Sequence, residues 1–100
     1  MSRTSDKVIR ENALRMLMFI REETSRARSH VAPLSYRQMA RGLGLSIQQV
    51  RFLSMRLEEE GLVASTPRYA EDGGQLANGY ALTSRGRLLL REARKLETIR

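Results

Sequence analysis

Between Gly42 and Val63 the sequence reads GLGLSIQQVRFLSMRLEEEGLV, which gathers Gln48, Gln49, Arg51, Phe52, Met55 and Arg56 into little more than two helical turns. A glutamine amide or a guanidinium can meet a base edge with two hydrogen bonds, and an apolar tip such as Phe52 or Met55 can meet a thymine methyl. That is the chemistry of reading bases in a DNA groove, provided that one rigid element presents all of these side chains together. At about 100° per residue, Val50, Leu53, Ser54 and Leu57 fall on one side of a helix over residues 46–60, with Ile47 at its edge. Gln48, Gln49, Phe52, Met55, Arg56 and Glu59 take the opposite side, and Arg51 lies on the flank nearest the helix start. The first set is expected to pack inward and the second to face outward.

Bulk composition narrows the partners. The chain has 100 residues, 41% of them apolar, with five aromatics and no tryptophan, so one modest core of Leu, Ile, Val, Met and Ala is expected, within a single domain over 1–100. Eighteen basic residues, sixteen of them arginine, stand against eleven acidic ones, for a net charge of +7 and a pI near 11.0. Polyanions are the natural partners: nucleic acid or an anionic membrane surface. The excess charge sits in residues 1–30 and 83–100, while the centre is nearly neutral, so nucleic-acid contact there rests on a few placed residues. With no cysteine and His30 as the lone histidine, neither a disulfide nor a metal site is expected, and no cofactor is implied. The start MSRTSDKVIREN is too charged for a signal peptide or a membrane span, which makes the cytoplasm the expected location. An amphipathic membrane helix over residues 6–22 explains less of the chain than a folded domain does.

The elements that must position the outward face follow in order. Ile9, Ala13, Met16, Leu17 and Ile20 recur at helical spacing, giving a long first helix within residues 1–30. Leu14 and Met18 form a second stripe on its other side, which needs cover from elsewhere. Ala32-Pro33-Leu34 reads as an extended connector, since proline disfavours helix at the residue before it. Ser35-Tyr36-Arg37-Gln38 and Ser46-Ile47-Gln48-Gln49 are both capping boxes, and glycine in the left-handed conformation between Gly42 and Gly44 closes the first of the two helices they start. Two capped helices around a tight glycine turn make a helix-turn-helix. Arg37 then lies beside the free amides of the first, a place to hold a phosphate. Residues 61–66 and 79–82 are β-prone around the polar tip Glu71-Asp72-Gly73-Gly74-Gln75, so a hairpin is expected. Its acidic tip leaves Arg68, on the rising limb, as the residue fit to touch a phosphate, and Gly73-Gly74 suggest a mobile tip. Tyr69 and Tyr80 are expected to pack the hairpin. Thr83 caps a last helix whose Leu88, Leu89, Leu90, Ala93, Leu96 and Ile99 spread over more than one face. Ser65, Thr66 and Ser84 have no base or carboxylate partner in any catalytic motif, so no enzyme activity is expected.

The runs LSYRQMARGLGLSIQQVRFLSMRLEEEGLV and GYALTSRGRLLL, within residues 34–90, resemble the winged helix-turn-helix domains of MarR-like and PadR-like bacterial transcriptional regulators. The resemblance implies a mainly α fold with a small β-hairpin wing. The helix-turn-helix and wing would occupy 34–82, between long N-terminal (1–30) and C-terminal (83–100) helices that pair into a homodimer. It also implies sequence-specific binding of double-stranded DNA, with a recognition helix at 46–60 contacting it through Ser46 and the outward residues. Phe52 and Met55 stand where such regulators usually carry polar or basic residues, which opens an alternative: a winged-helix protein-interaction module anchored by these two side chains. The chain is short for a MarR-like protein and lacks the extra helices that shape an effector pocket, so no small-molecule effector is expected.

Overall fold

The computed structural model describes residues 6–69, 71–72 and 75–99. Helix α1 (Asp6–Ala27) leads into a two-residue strand β1 (Ala32–Pro33), then helices α2 (Tyr36–Leu43) and α3 (Ile47–Glu59). Strands β2 (Val63–Tyr69) and β3 (Gln75–Leu82) follow, and helix α4 (Ser84–Ile99) ends the described chain. The fold is mainly helical with a small antiparallel sheet, as expected.

The apolar periodicities become one core. Met16, Leu17 and Ile20 of α1, Met39 and Leu43 of α2, and Val50, Leu53 and Leu57 of α3 pack with Leu34, Leu62, Val63 and Tyr80. Each of these faces is too small to be stable alone; together they remove from water the apolar area that holds short helices folded.

Both expected capping boxes form. The Gln38 amide N–H donates to Ser35 Oγ at 3.0 Å, and Ser35 N–H donates to Gln38 Oε1 at 2.8 Å. The same pair of bonds recurs between Ser46 and Gln49. Between the helices the two glycines divide the work. Gly44, at φ 69°, is the left-handed residue that closes α2. Gly42 stays helical and serves a different need, because a Cβ built there runs into the ring of Phe19 on α1. The turn is locked from α1 as well: Arg15 Nη2 donates to the Leu43 carbonyl at 2.6 Å, placing a cation on the carbonyl end of α2.

The first helix ends at Ala27, inside the polar run 24–30, in a turn where Arg28 adopts φ 52°. Two expectations change. The connector 32–34 is not simply extended: Ala32 pairs with Tyr80 and Pro33 with Gly79, so the hairpin becomes a three-stranded sheet in the order β1-β3-β2. Proline is tolerated because β1 is an edge strand that needs no donor there. The hairpin strands are also longer than the β-prone runs, reaching Tyr69 and Gln75, with an irregularity between Thr66 and Arg68 around Pro67. Gly73, Gly74 and the side chains of Tyr69 and Ile99 lie outside the described residues.

Candidate nucleic-acid interface

Helix α3 separates its two faces as its periodicity predicts. Val50, Leu53, Ser54 and Leu57 are buried, while Gln48, Gln49, Arg51, Phe52, Met55, Arg56 and Glu59 are exposed; Ile47, expected at the edge of the inward face, is exposed as well. Phe52 and Met55 are 51% and 52% exposed, a large apolar area to leave in water on a helix that is already anchored from behind.

The outward residues are not equivalent. Ser46 and Gln49 spend hydrogen-bonding capacity on the helix start: the Gln49 Oε1 is held by Ser46 N–H. Gln49 therefore presents only its amide NH2 outward unless the cap opens, whereas Gln48 is not tied into a capping box. Arg51 lies one residue past the buried Val50, on the flank of the first turns. Arg56 Nε lies 4.0 Å from Glu60 Oε1, an exposed pair worth little, so Arg56 is easily drawn to another anion. Arg37 is exposed in the first turn of α2, and Arg68 is exposed on β2, where it pairs across the ladder with Leu76.

A polar tie behind the face escaped the sequence reading. Ser54, on the inward stripe, donates to Glu58 Oε2 at 3.4 Å, and Ser65 of β2 donates to Glu58 Oε1. One carboxylate thus joins the last turn of the outward-facing helix to the first wing strand. This corrects the expectation that Ser65 lacks a carboxylate partner. The available signal was Ser54 itself: a hydroxyl among apolar residues needs a partner, and Glu58 is one helical turn away. Tyr80, opposite Ser65 in the ladder, continues the polar layer. Burial raises its phenol above the ordinary value of 10.0, partly opposed by hydrogen bonds with Ser54 and Asn78, so it stays neutral well into the alkaline range.

Elsewhere, a groove of about 520 Å3 runs between α1, the end of α3 and α4, lined by Leu14, Leu17, Leu57, Leu88 and Leu89 and edged by Arg56 and Arg85. Val8, Met18, Leu88, Leu89 and Leu96 are exposed on α1 and α4. No described helix is long and apolar enough to cross a membrane, and no described group of three or more His, Asp or Glu could hold a metal ion.

No protein-family model and no curated protein matches the chain. Solved structures do. A mutant of MepR from a multidrug-resistant S. aureus clinical isolate superposes with TM-score 0.69 at 15% identity, over 87% of this chain and 56% of that one. A mutant of Lactococcus lactis ZitR in the apo form gives 0.65 at 16% identity, over 92% and 61%. A Ralstonia eutropha protein provisionally assigned as DNA-binding gives 0.59 at 20% identity, over 83% and 94%. The chain therefore spans little more than half of MepR and ZitR but nearly all of the Ralstonia protein. At such identities the likeness speaks to architecture alone, and on that ground the chain has the winged helix-turn-helix fold it shares with MepR and ZitR.

Proposed function

We propose that this chain is a sequence-specific DNA-binding transcriptional regulator that works as a homodimer, with α3 in the major groove. The observation that carries the reading is the solvent face of α3, where amide, guanidinium and apolar tips stand together on a helix whose other face is buried in the core. Gln48 and Arg51 are its leading base readers, near the helix start where recognition helices usually meet base edges. Gln49 can join them by trading its cap bond, and Phe52 and Met55 suit thymine methyl groups. Ser46, Arg37, Arg56 and Arg68 are assigned to the phosphates flanking the site. Exposed leucines on α4 and the Val8 and Met18 positions on α1 supply the apolar surface through which two copies would join.

Selection of bound duplexes from a random pool tests the proposal. It should return an inverted repeat, as two-fold symmetry requires, with half-sites centred about 34–36 Å or a multiple of that apart. On that site Arg51→Ala should cost roughly 1–3 kcal/mol, with little effect on random DNA. Arg37→Ala should instead weaken every sequence and lower the salt slope by about one unit. If Gln49, Arg51 and Phe52 can each be truncated without changing affinity or specificity, the regulator reading fails. The exposure of Phe52 and Met55 would then favour the interaction module, whose partner protein Phe52→Ala should release.

The wing gives a second test. Glu71 and Asp72 are exposed and carry the wrong sign for phosphate. Replacing both with alanine should leave DNA affinity unchanged or raise it, because like-charge repulsion is removed; a clear loss would assign the tip a contact role.

A further inference from the structure

The two positively charged ends of the sequence meet in a hollow that the α3 face does not use. It has a volume of about 380 Å3 and lies where the end of α1, the α1–β1 connection, the end of β3 and the start of α4 come together. Arg21, Arg28, His30 and Arg87 line it with the hydroxyls of Thr24 and Ser25. None of its described lining residues is acidic, and Leu82 is the apolar one.

Two features set this cluster apart from a solvated basic face. The first is Arg28, which sits at φ 52°, a conformation glycine adopts freely and arginine does not. The backbone there already caps α1, since Arg28 N–H donates to the Ser25 carbonyl and Ser29 N–H to the Thr24 carbonyl, both at 3.1 Å. Glycine would do that work without strain, so the capping motif does not account for a guanidinium at this position. Neither Arg28 nor Arg21 has an ion-pair partner among the described residues, and nearby Glu23 is taken by Arg26 at 2.9 Å.

The second is Arg87. Its Nη1 donates to the Leu82 carbonyl at 2.9 Å and its Nη2 to Ser84 Oγ at 3.1 Å, which fixes the guanidinium over the first turn of α4. A cation at a helix start opposes the helix dipole, and Arg21 of α1 and Arg28 of the turn after it add like charge to the same hollow. An anion held among them offsets both costs.

We infer that this hollow binds a small phosphate-bearing anion. Guanidinium forks match phosphate oxygens, the Ser25 hydroxyl can donate to a remaining one while Thr24 Oγ1 already donates to the Arg21 carbonyl at 2.8 Å, and three guanidiniums with one imidazole favour an anionic ligand. The space is at the lower end of the range for small-molecule sites. The hollow lies at the Leu82 end of β3, roughly 23 Å along the strand from Gln75, so a bound ligand leaves the wing tip and the α3 face open.

Thermal unfolding of the full chain with millimolar inorganic pyrophosphate, against sodium chloride at matched ionic strength, tests this. Pyrophosphate should raise Tm by on the order of 5 °C, and Arg21→Ala should abolish the rise. Arg28→Gly is the decisive variant. Relief of the left-handed strain should hold or raise its Tm without ligand, while the pyrophosphate increment disappears. Binding to a random-sequence duplex, measured in parallel, should be the same for both variants and the native chain. No increment in the native chain, or an equal increment in the variants, overturns the inference. So does a loss of duplex binding in Arg21→Ala and Arg28→Gly without any pyrophosphate effect, which would assign these arginines to the DNA backbone.

Discussion

Gly86→Ala is expected to destabilise the fold by about 3 kcal/mol and to lower Tm by roughly 15 °C. Helix propensity alone gives the opposite sign, since alanine is favoured over glycine in a helix by about 1 kcal/mol. The structure reverses it. Gly86 is buried in the first turn of α4, where a Cβ would collide with the Leu62 carbonyl oxygen and lie 3.1 Å from its carbon. Leu62 cannot move aside cheaply, because its carbonyl accepts Thr83 N–H at 3.1 Å and the neighbouring Gly61 carbonyl accepts the Thr83 hydroxyl at 2.7 Å. That hydroxyl also receives Gly86 N–H at 3.0 Å. The added methyl therefore strains the whole junction between the end of α3 and the start of α4. Chemical denaturation of the variant checks the sign, and any stabilisation would mean that α4 packs differently.

The second large effect separates the two faces of α3. Leu57→Ala should cost about 2–5 kcal/mol of stability, because Leu57 is 1% exposed in the centre of the core and its loss leaves a cavity. Phe52→Ala, little more than one turn earlier and half exposed, should stay within about 0.5 kcal/mol of the parent. Paired denaturation curves decide it. A large loss at Phe52 would mean that its ring is structural, and the α3 face would lose its best apolar contact.

What the sequence made legible depended on range. The inward and outward faces of α3 follow from local periodicity, and the two capping boxes from residues three apart, so both could be read without tertiary knowledge. The close approach of α1 to α2 could not, because nothing near Gly42 in the chain announces the Phe19 ring lying over it. Strand β1 was hidden for a similar reason: two residues, one of them proline, carry no strand signal until Gly79 and Tyr80 are laid beside them. The Glu58 tie was half visible. Ser54 on an apolar stripe asks for a partner, but that the same carboxylate would also take Ser65 depends on where the hairpin folds back. Among the outward residues, the capping box already implied that Gln49 has two competing employments, and the geometry gives the cap the prior claim.

The strand order carries a consequence for how the chain reaches its native state. β3 is the middle strand, and its two neighbours reach it over very different distances: β2 across one turn, β1 across almost fifty residues. Tyr80 is both a pairing partner of β1 and a buried part of the core. During synthesis the three leading helices emerge with their apolar sides incompletely covered, and local contacts alone cannot finish the job. Closure awaits β3, so the distant β1–β3 pairing is expected to slow folding more than helix formation does. A nascent chain halted before Gly79 would hold most of its core residues and still be a substrate for chaperones, because neither the partners of β1 nor Tyr80 would yet be present to cover them.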